Sequence, residues 1–131
     1  MSSYSQEVRL RDVHQDDVAI FFEHQREPEA NYMIALSTKK PHDEISFQEQ
    51  WQRILHSETM LPRTIEANGL VAGYVASFYR LGKLEVSYWL GSYFWGRGLA
   101  TASLFQFFTI QQARPIYARA AKKNRASCRV L

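Results

Sequence analysis

Hydrophobic positions change their period along the chain, and the changes divide it into elements. Residues 8–13, VRLRDV, read as an opening strand. Val18, Phe21 and Phe22 then recur at helical spacing behind Asp16 and Asp17, acids that suit a helix N-terminus. A second helical stripe, Phe47, Trp51, Ile54 and Leu55, comes with Ser46 and Glu49 at the spacing of a capping box. After Pro62 the period falls to two. Residues 64–67, the Asn68-Gly69 turn, residues 70–80 and residues 83–90 then predict an antiparallel meander of three strands. Residues 99–113 return to the helical period and lead to a further strand at 116–121. A right-handed crossover lays that strand parallel to residues 83–90. The pattern predicts an α/β (α+β) fold with a mixed sheet, and ligands favour the carboxyl ends of such neighbouring parallel strands.

At 131 residues and 46% hydrophobic, the chain is sized for one core, so residues 1–131 are expected to form a single domain. Residues 36–44, with Ser37, Lys39, Lys40 and Pro41, are the only linker-like stretch. The net charge of +3 gathers toward the C-terminus in Arg114, Arg119, Lys122, Lys123, Arg125 and Arg129. An excess this mild requires no nucleic-acid partner. The lone Cys128 excludes an internal disulfide and fits a reducing compartment, with the cytoplasm as the default. The N-terminus MSSYSQEVRL lacks an apolar segment suited to secretion, and no apolar run reaches the length of a bilayer span, so no membrane partner is expected. His14, His24, His42 and His56 lack metal-ligand spacing, and no metal is expected.

The candidate chemistry lies in residues 86–101, VSYWLGSYFWGRGLAT, where a strand runs through an aromatic turn and two glycines into a helix. Gly96 and Gly98 allow close approach of backbone to ligand, and the first amides of the helix supply donors and a positive dipole end for phosphate oxygens. A dinucleotide fingerprint would place a third glycine at Thr101 and an acid where Arg119, Lys122 and Lys123 stand, and a P-loop would require Gly-Lys-Ser/Thr. What remains is a loop that grips phosphate with backbone amides, aided by Arg97.

These residues carry a family resemblance. Tyr88-Trp89-Leu90-Gly91 followed by Trp95-Gly96-Arg97-Gly98-Leu99-Ala100-Thr101 resembles the acyl-CoA signature of GNAT acetyltransferases, Gln/Arg-x-x-Gly-x-Gly/Ala. Trp95 takes the Gln/Arg position, Gly98 the glycine and Ala100 the last small residue. Tryptophan at the first position resembles the branch of the ribosomal-protein N-terminal acetyltransferases. Asn124 to Ser127 resembles the NxxS segment that opens the family's fourth helix. With the Arg9-Leu10-Arg11 strand and the Asn68-Gly69 hairpin, the resemblance spans most of the chain.

The resemblance implies the order β-α-α-β-β-β-α-β-α and acetyl-CoA as acyl donor. It implies cofactor contacts from Trp89, Leu90, Trp95, Gly96, Arg97, Gly98, Leu99, Ala100, Thr101 and Asn124. In the family the helix begun at Asn124 runs on to a Gly-Phe pair and is followed by two strands, whereas this sequence stops at Leu131. A C-terminally incomplete domain lacking that hairpin is therefore expected.

Acetyl transfer to an amine makes three demands. The amine must lose a proton, and Glu85 is the candidate base, on the face of its strand shared by Ser87 and Trp89, where the family often places a glutamate. A strand carboxylate is otherwise an ordinary solvated or paired edge group. Charge on the carbonyl oxygen calls for a backbone amide near Trp89 or Leu90, freed by a splayed gap between the parallel strands. The leaving thiolate needs a proton. Many relatives use a tyrosine seven positions after the NxxS asparagine, where this chain has Leu131, which leaves Ser127 as donor, directly or through water. A serine in the first turn of a helix is also common capping chemistry. Asn124 meets the pantetheine arm, caps the helix, or both. Arg97, with Lys122 or Arg125, faces the pyrophosphate and the 3′-phosphate.

The leading expectation is an N-acetyltransferase acting by direct attack in a ternary complex. Its acceptor would be a protein N-terminus, an amino acid, a polyamine or a small amine, with the pocket shaped by residues 21–51. The alternative is a truncated remnant that binds CoA or self-associates through the edge of residues 116–121, with a homodimer covering that edge. A basic RNA-binding module would rest on the C-terminal charge and on Phe78, Tyr79, Tyr93, Phe94 and Trp95.

Overall fold

The computed structural model describes residues 7–26 and 43–118. Its elements are β1 (Val8–Arg11), α1 (Gln15–Gln25), α2 (Glu44–Leu55), β2 (Leu61–Ala67), β3 (Leu70–Arg80), β4 (Lys83–Leu90), α3 (Leu99–Ile110) and β5 (Tyr117–Ala118), with a short 3-10 turn at Ser92–Phe94. They follow the expected order as far as the described residues extend. The fourth helix and the rest of the last strand lie outside them. The five strands form one sheet in the order β1-β2-β3-β4-β5. The first four are antiparallel neighbours, and β5 runs parallel to β4 with Glu85 opposite Tyr117 and Val86 opposite Ala118.

Both faces of the sheet are covered. Val75, Val86 and Leu90 point to one side, where Leu99, Leu104 and Phe107 of α3 close a core. Tyr74 and Trp89 point to the other, where Val18, Phe21 and Phe22 of α1 meet Phe47, Trp51 and Ile54 of α2. Burial on two sides explains why residues 72–78 of β3 are all buried although they are alternately directed. The helical stripes read from the sequence are the ones that pack.

Several boundaries differ: β1 ends at Arg11, short of residue 13, and β5 begins at Tyr117, one residue later than expected. The N-cap of α2 is Asp43, whose carboxylate accepts the Ser46 N–H at 2.7 Å, so Ser46 and Glu49 are not its capping box. Strand β2 begins at Leu61, earlier than the break expected at Pro62. Helix α3 ends at Ile110, short of residue 113.

Helix α1 starts on a partly buried ionic cluster. Asp17 accepts from the His14 N–H at 2.8 Å, from Thr64 Oγ1 at 2.8 Å and from Arg11 Nη1 and Nη2 at 2.7 and 3.0 Å. Arg11 Nε also donates to Glu66 at 2.6 Å, which ties α1 to β1 and β2. Burial alone would push the Asp17 carboxyl up, but Arg11, the His14 amide and Thr64 overcome it and hold the carboxyl below its ordinary value. The guanidinium of Arg11 is raised in turn, chiefly by its hydrogen bond to Asp17.

A group with a depressed folded pKa stabilises the fold above its unfolded value, and that contribution is lost as pH falls through the folded one. Asp17→Asn is expected to cost about 2 kcal/mol at pH 7, below the figure for a fully buried pair because Arg11 is 27% exposed. Urea unfolding at pH 7 and pH 3 should show the wild type losing more stability on acidification than Asp17→Asn.

Candidate active site

Strand β4 ends at Leu90, and the chain needs only the short turn at Ser92–Phe94 and two glycines to enter α3. The turn is closed by Phe94 N–H on Gly91 O at 2.9 Å and Trp95 N–H on Ser92 O at 3.1 Å. The buried side chains of Phe94 and Leu99 anchor the loop at either end. Between them Gly96, Arg97 and Gly98 are exposed. Gly96 and Gly98 both take left-handed backbone, with φ of +75° and +76°, which an L side chain rarely adopts. A Cβ on either would meet nothing within 4 Å, so the loop presents bare backbone to open space.

Gly98 is the N-cap of α3, and Ala102 is the residue whose N–H returns to the Gly98 carbonyl, at 3.1 Å. The amides of Leu99, Ala100 and Thr101 therefore precede the helix's own ladder and stand at its positive end. This arrangement can serve as an anion cradle at the carboxyl end of β4, the strand with the parallel neighbour. It suits a phosphate-bearing ligand held by backbone donors.

The expected residues divide by what they can offer. Gly96, Arg97, Gly98, Leu99, Ala100 and Thr101 come together in the cradle, Leu99 through its amide, since its side chain is buried. Arg97 places its guanidinium 4.3 Å from the centroid of the Tyr93 ring, which holds the cation on the exposed side of the turn. Trp89 and Leu90 are buried on opposite faces of the sheet, so only their backbone is on offer. The Trp95 indole N–H donates to the Leu90 carbonyl at 2.8 Å. Asn124, Ser127, Lys122 and Arg125 lie outside the described residues, as does the splayed gap beyond the pairing of Val86 with Ala118.

Glu85 stands five residues before Leu90, about 17 Å along the strand from the loop. It is 7% exposed and lies in register with Tyr117 of β5. Arg80, across the β3–β4 hairpin, donates from Nε to both carboxylate oxygens at 3.2 and 3.1 Å and approaches with Nη2 at 3.0 Å. The carboxylate is thus a paired group at the junction of the two parallel strands.

Of the region expected to shape the acceptor pocket, Phe21, Phe22, Phe47 and Trp51 belong to the core, and residues 27–42 lie outside the described residues. Phe78 and Phe94 are also buried, so they do not join Tyr79 and Tyr93 in an exposed stacking surface. Among the described residues no group of three or more His, Cys, Asp or Glu side chains is placed to hold a metal ion. No helix among them is long and apolar enough to cross a membrane.

Two contributors escape a reading of the sequence. A Cβ on Gly91 would lie 2.7 Å from His24 Cδ2, so the last turn of α1 presses on the start of the loop. Gly73, opposite Leu90, would with a Cβ come within 1.8 Å of the Trp89 carbonyl oxygen. An isolated glycine inside the apolar run of β3 is the available signal for that close approach.

Several solved structures share this fold. The fold is shared with Mycobacterium smegmatis RimJ in complex with CoA-disulfide, at TM-score 0.72 and 24% identity over 95% of this chain and 67% of that one. It is shared with RimL, the ribosomal L7/L12 alpha-N-protein acetyltransferase in complex with coenzyme A, at TM-score 0.75 and 16% identity over 97% and 78%. Aminoglycoside acetyltransferase AAC(6')-Ib in complex with coenzyme A aligns at TM-score 0.74 and 21% identity over 95% and 80%. No curated protein matches the chain. The profile of the acetyltransferase (GNAT) domain matches residues 7–131, and the chain belongs to that family of acetyl-CoA-dependent acetyltransferases.

Proposed function

We propose that the chain transfers the acetyl group of acetyl-CoA to a primary amine, a protein N-terminus or a small molecule, by direct attack in a ternary complex. The observation that carries this reading is the exposed glycine loop at the N-terminus of α3, open above Gly96 and Gly98. The CoA-bound state of the RimJ, RimL and AAC(6')-Ib structures supports CoA as the ligand. The lone cysteine supports a cytoplasmic setting.

In this reading the amides of residues 96–101 bind the pyrophosphate, with Arg97 as the neighbouring cation. The edge of β4 guides the pantetheine arm back toward Glu85, a span that the extended arm covers. The amine nitrogen attacks the thioester carbonyl, the C–N bond forms, the C–S bond breaks, and a backbone amide of β4 beside the thioester stabilises the oxyanion. Glu85 receives the amine proton, and Ser127 relays a solvent proton to the thiolate, so that its hydroxyl is restored as the thiol forms. Holding both reactants together supplies much of the rate.

Glu85→Gln tests the base. Turnover is expected to fall about a hundredfold, the lower end of what general-base catalysis contributes, while CoA affinity stays unchanged. Thiol release across a panel of N-terminal peptides, polyamines and aminoglycosides reads the first, and calorimetry with CoA the second. Unchanged turnover would remove Glu85 from the role. CoA binding without transfer to any amine would favour a CoA-binding module.

A further inference from the structure

We propose that Trp95 is a positioning residue that keeps the amide cradle available to phosphate by occupying the Leu90 carbonyl at the end of β4. The inference rests on the reading of the loop as a CoA site. It begins with the end of β4. Successive residues of a strand direct their N–H and C=O groups to opposite edges. The Gly91 N–H reaches β3, on Ala72 O at 2.9 Å, so the Leu90 carbonyl faces the other edge, away from β3 and toward the loop.

A strand-terminal carbonyl must find a donor. The loop's own donors include the amides of Leu99, Ala100 and Thr101, which precede the α3 ladder and which the cradle keeps for its ligand. Were Leu90 O to accept from one of them, the loop would fold onto itself and lose that donor. The Trp95 indole N–H takes the Leu90 carbonyl at 2.8 Å, and its ring packs, partly buried, against the core beneath α3. The side chain thus satisfies the acceptor from inside the loop and fixes the distance between the end of β4 and Gly96.

The test is calorimetry of the full chain with CoA, together with thermal melting, for wild type, Trp95→Phe and Trp95→Gln. Phe keeps a ring and removes the donor, and Gln restores a donor without the ring. Trp95→Phe is expected to weaken CoA about five- to tenfold, the value of one neutral hydrogen bond, with little change in melting temperature. Trp95→Gln should bind more tightly than Trp95→Phe even though it melts lower. Wild-type affinity in Trp95→Phe, or weaker binding by Gln than by Phe, makes Trp95 a packing residue and overturns the proposal. A folded wild type that does not bind CoA overturns the CoA reading and this proposal with it. In the wild type the Trp95 indole N–H should exchange slowly with solvent, and rapid exchange would refute the strap without recourse to any variant.

Discussion

Gly98→Glu is expected to weaken CoA binding by about a thousandfold or more while the chain stays folded. Gly98 has φ of +76° and open space where a Cβ would stand, so the local cost of a side chain is the left-handed backbone, about 1–2 kcal/mol. A carboxylate at the N-terminus of α3 would recover part of that, because the helix dipole favours negative charge there. The ligand suffers instead. The new carboxylate would lie where the cradle holds phosphate and would compete for the amides of Leu99, Ala100 and Thr101. Like charges brought together at a binding surface cost several kcal/mol. Gly98→Ala is the control, with the same strained backbone and no charge, and it should retain most of the affinity. Calorimetry with CoA distinguishes them. Equal affinities for Gly98→Glu and wild type would move the phosphate to another surface.

The loop was legible because its glycines answer to a local requirement. Gly96 and Gly98 adopt backbone that other residues avoid, and Leu99 begins a helical stripe directly after them, so residue types alone mark the turn. The pairing of β3 with β4 was legible for a similar reason, since a period of two over residues 70–90 leaves few registers that bury both faces. Caps and partners were harder. Asp43 and Ser46 are both good N-caps, and the choice between them depends on how the chain enters α2, where the Ser46 amide itself donates to Asp43. Pro62 looks like a strand breaker, yet it lies past the end of β1, whose pairing with β2 starts at Thr64, and one edge of β2 there has no strand beside it among the described residues. Proline is tolerated at such an edge. The partnership of Glu85 with Arg80 depends on a diagonal across a hairpin. That of Trp95 with Leu90 depends on the direction of a single carbonyl.

Gly73→Ala is expected to be the most destabilising single-methyl change in the sheet, costing about 3 kcal/mol or more and lowering the melting temperature by on the order of 10 °C. Its Cβ would stand 1.8 Å from the Trp89 carbonyl oxygen, 2.8 Å from the Trp89 carbonyl carbon and 3.0 Å from Leu90 Cα. All three are backbone atoms, so no side-chain rotation relieves the contact, and β3 and β4 must separate where they meet. The position is also next to the irregularity at Ile65 and Glu66, where β2 and β3 shift register, so the strain has two strands to disturb. Gly82 provides the comparison. With φ of +78° and nothing within 4 Å of a Cβ, Gly82→Ala carries backbone strain alone and should cost about 1–2 kcal/mol. Urea unfolding of the two variants should therefore rank Gly73→Ala well below Gly82→Ala. The same contact links stability to the site, because Gly73 faces Leu90, whose carbonyl receives Trp95. A Gly73→Ala protein that still folds in the cold should bind CoA more weakly than Gly82→Ala. Equal affinity in the two would mean that the loop takes its shape from α3 and the turn, without the end of β4.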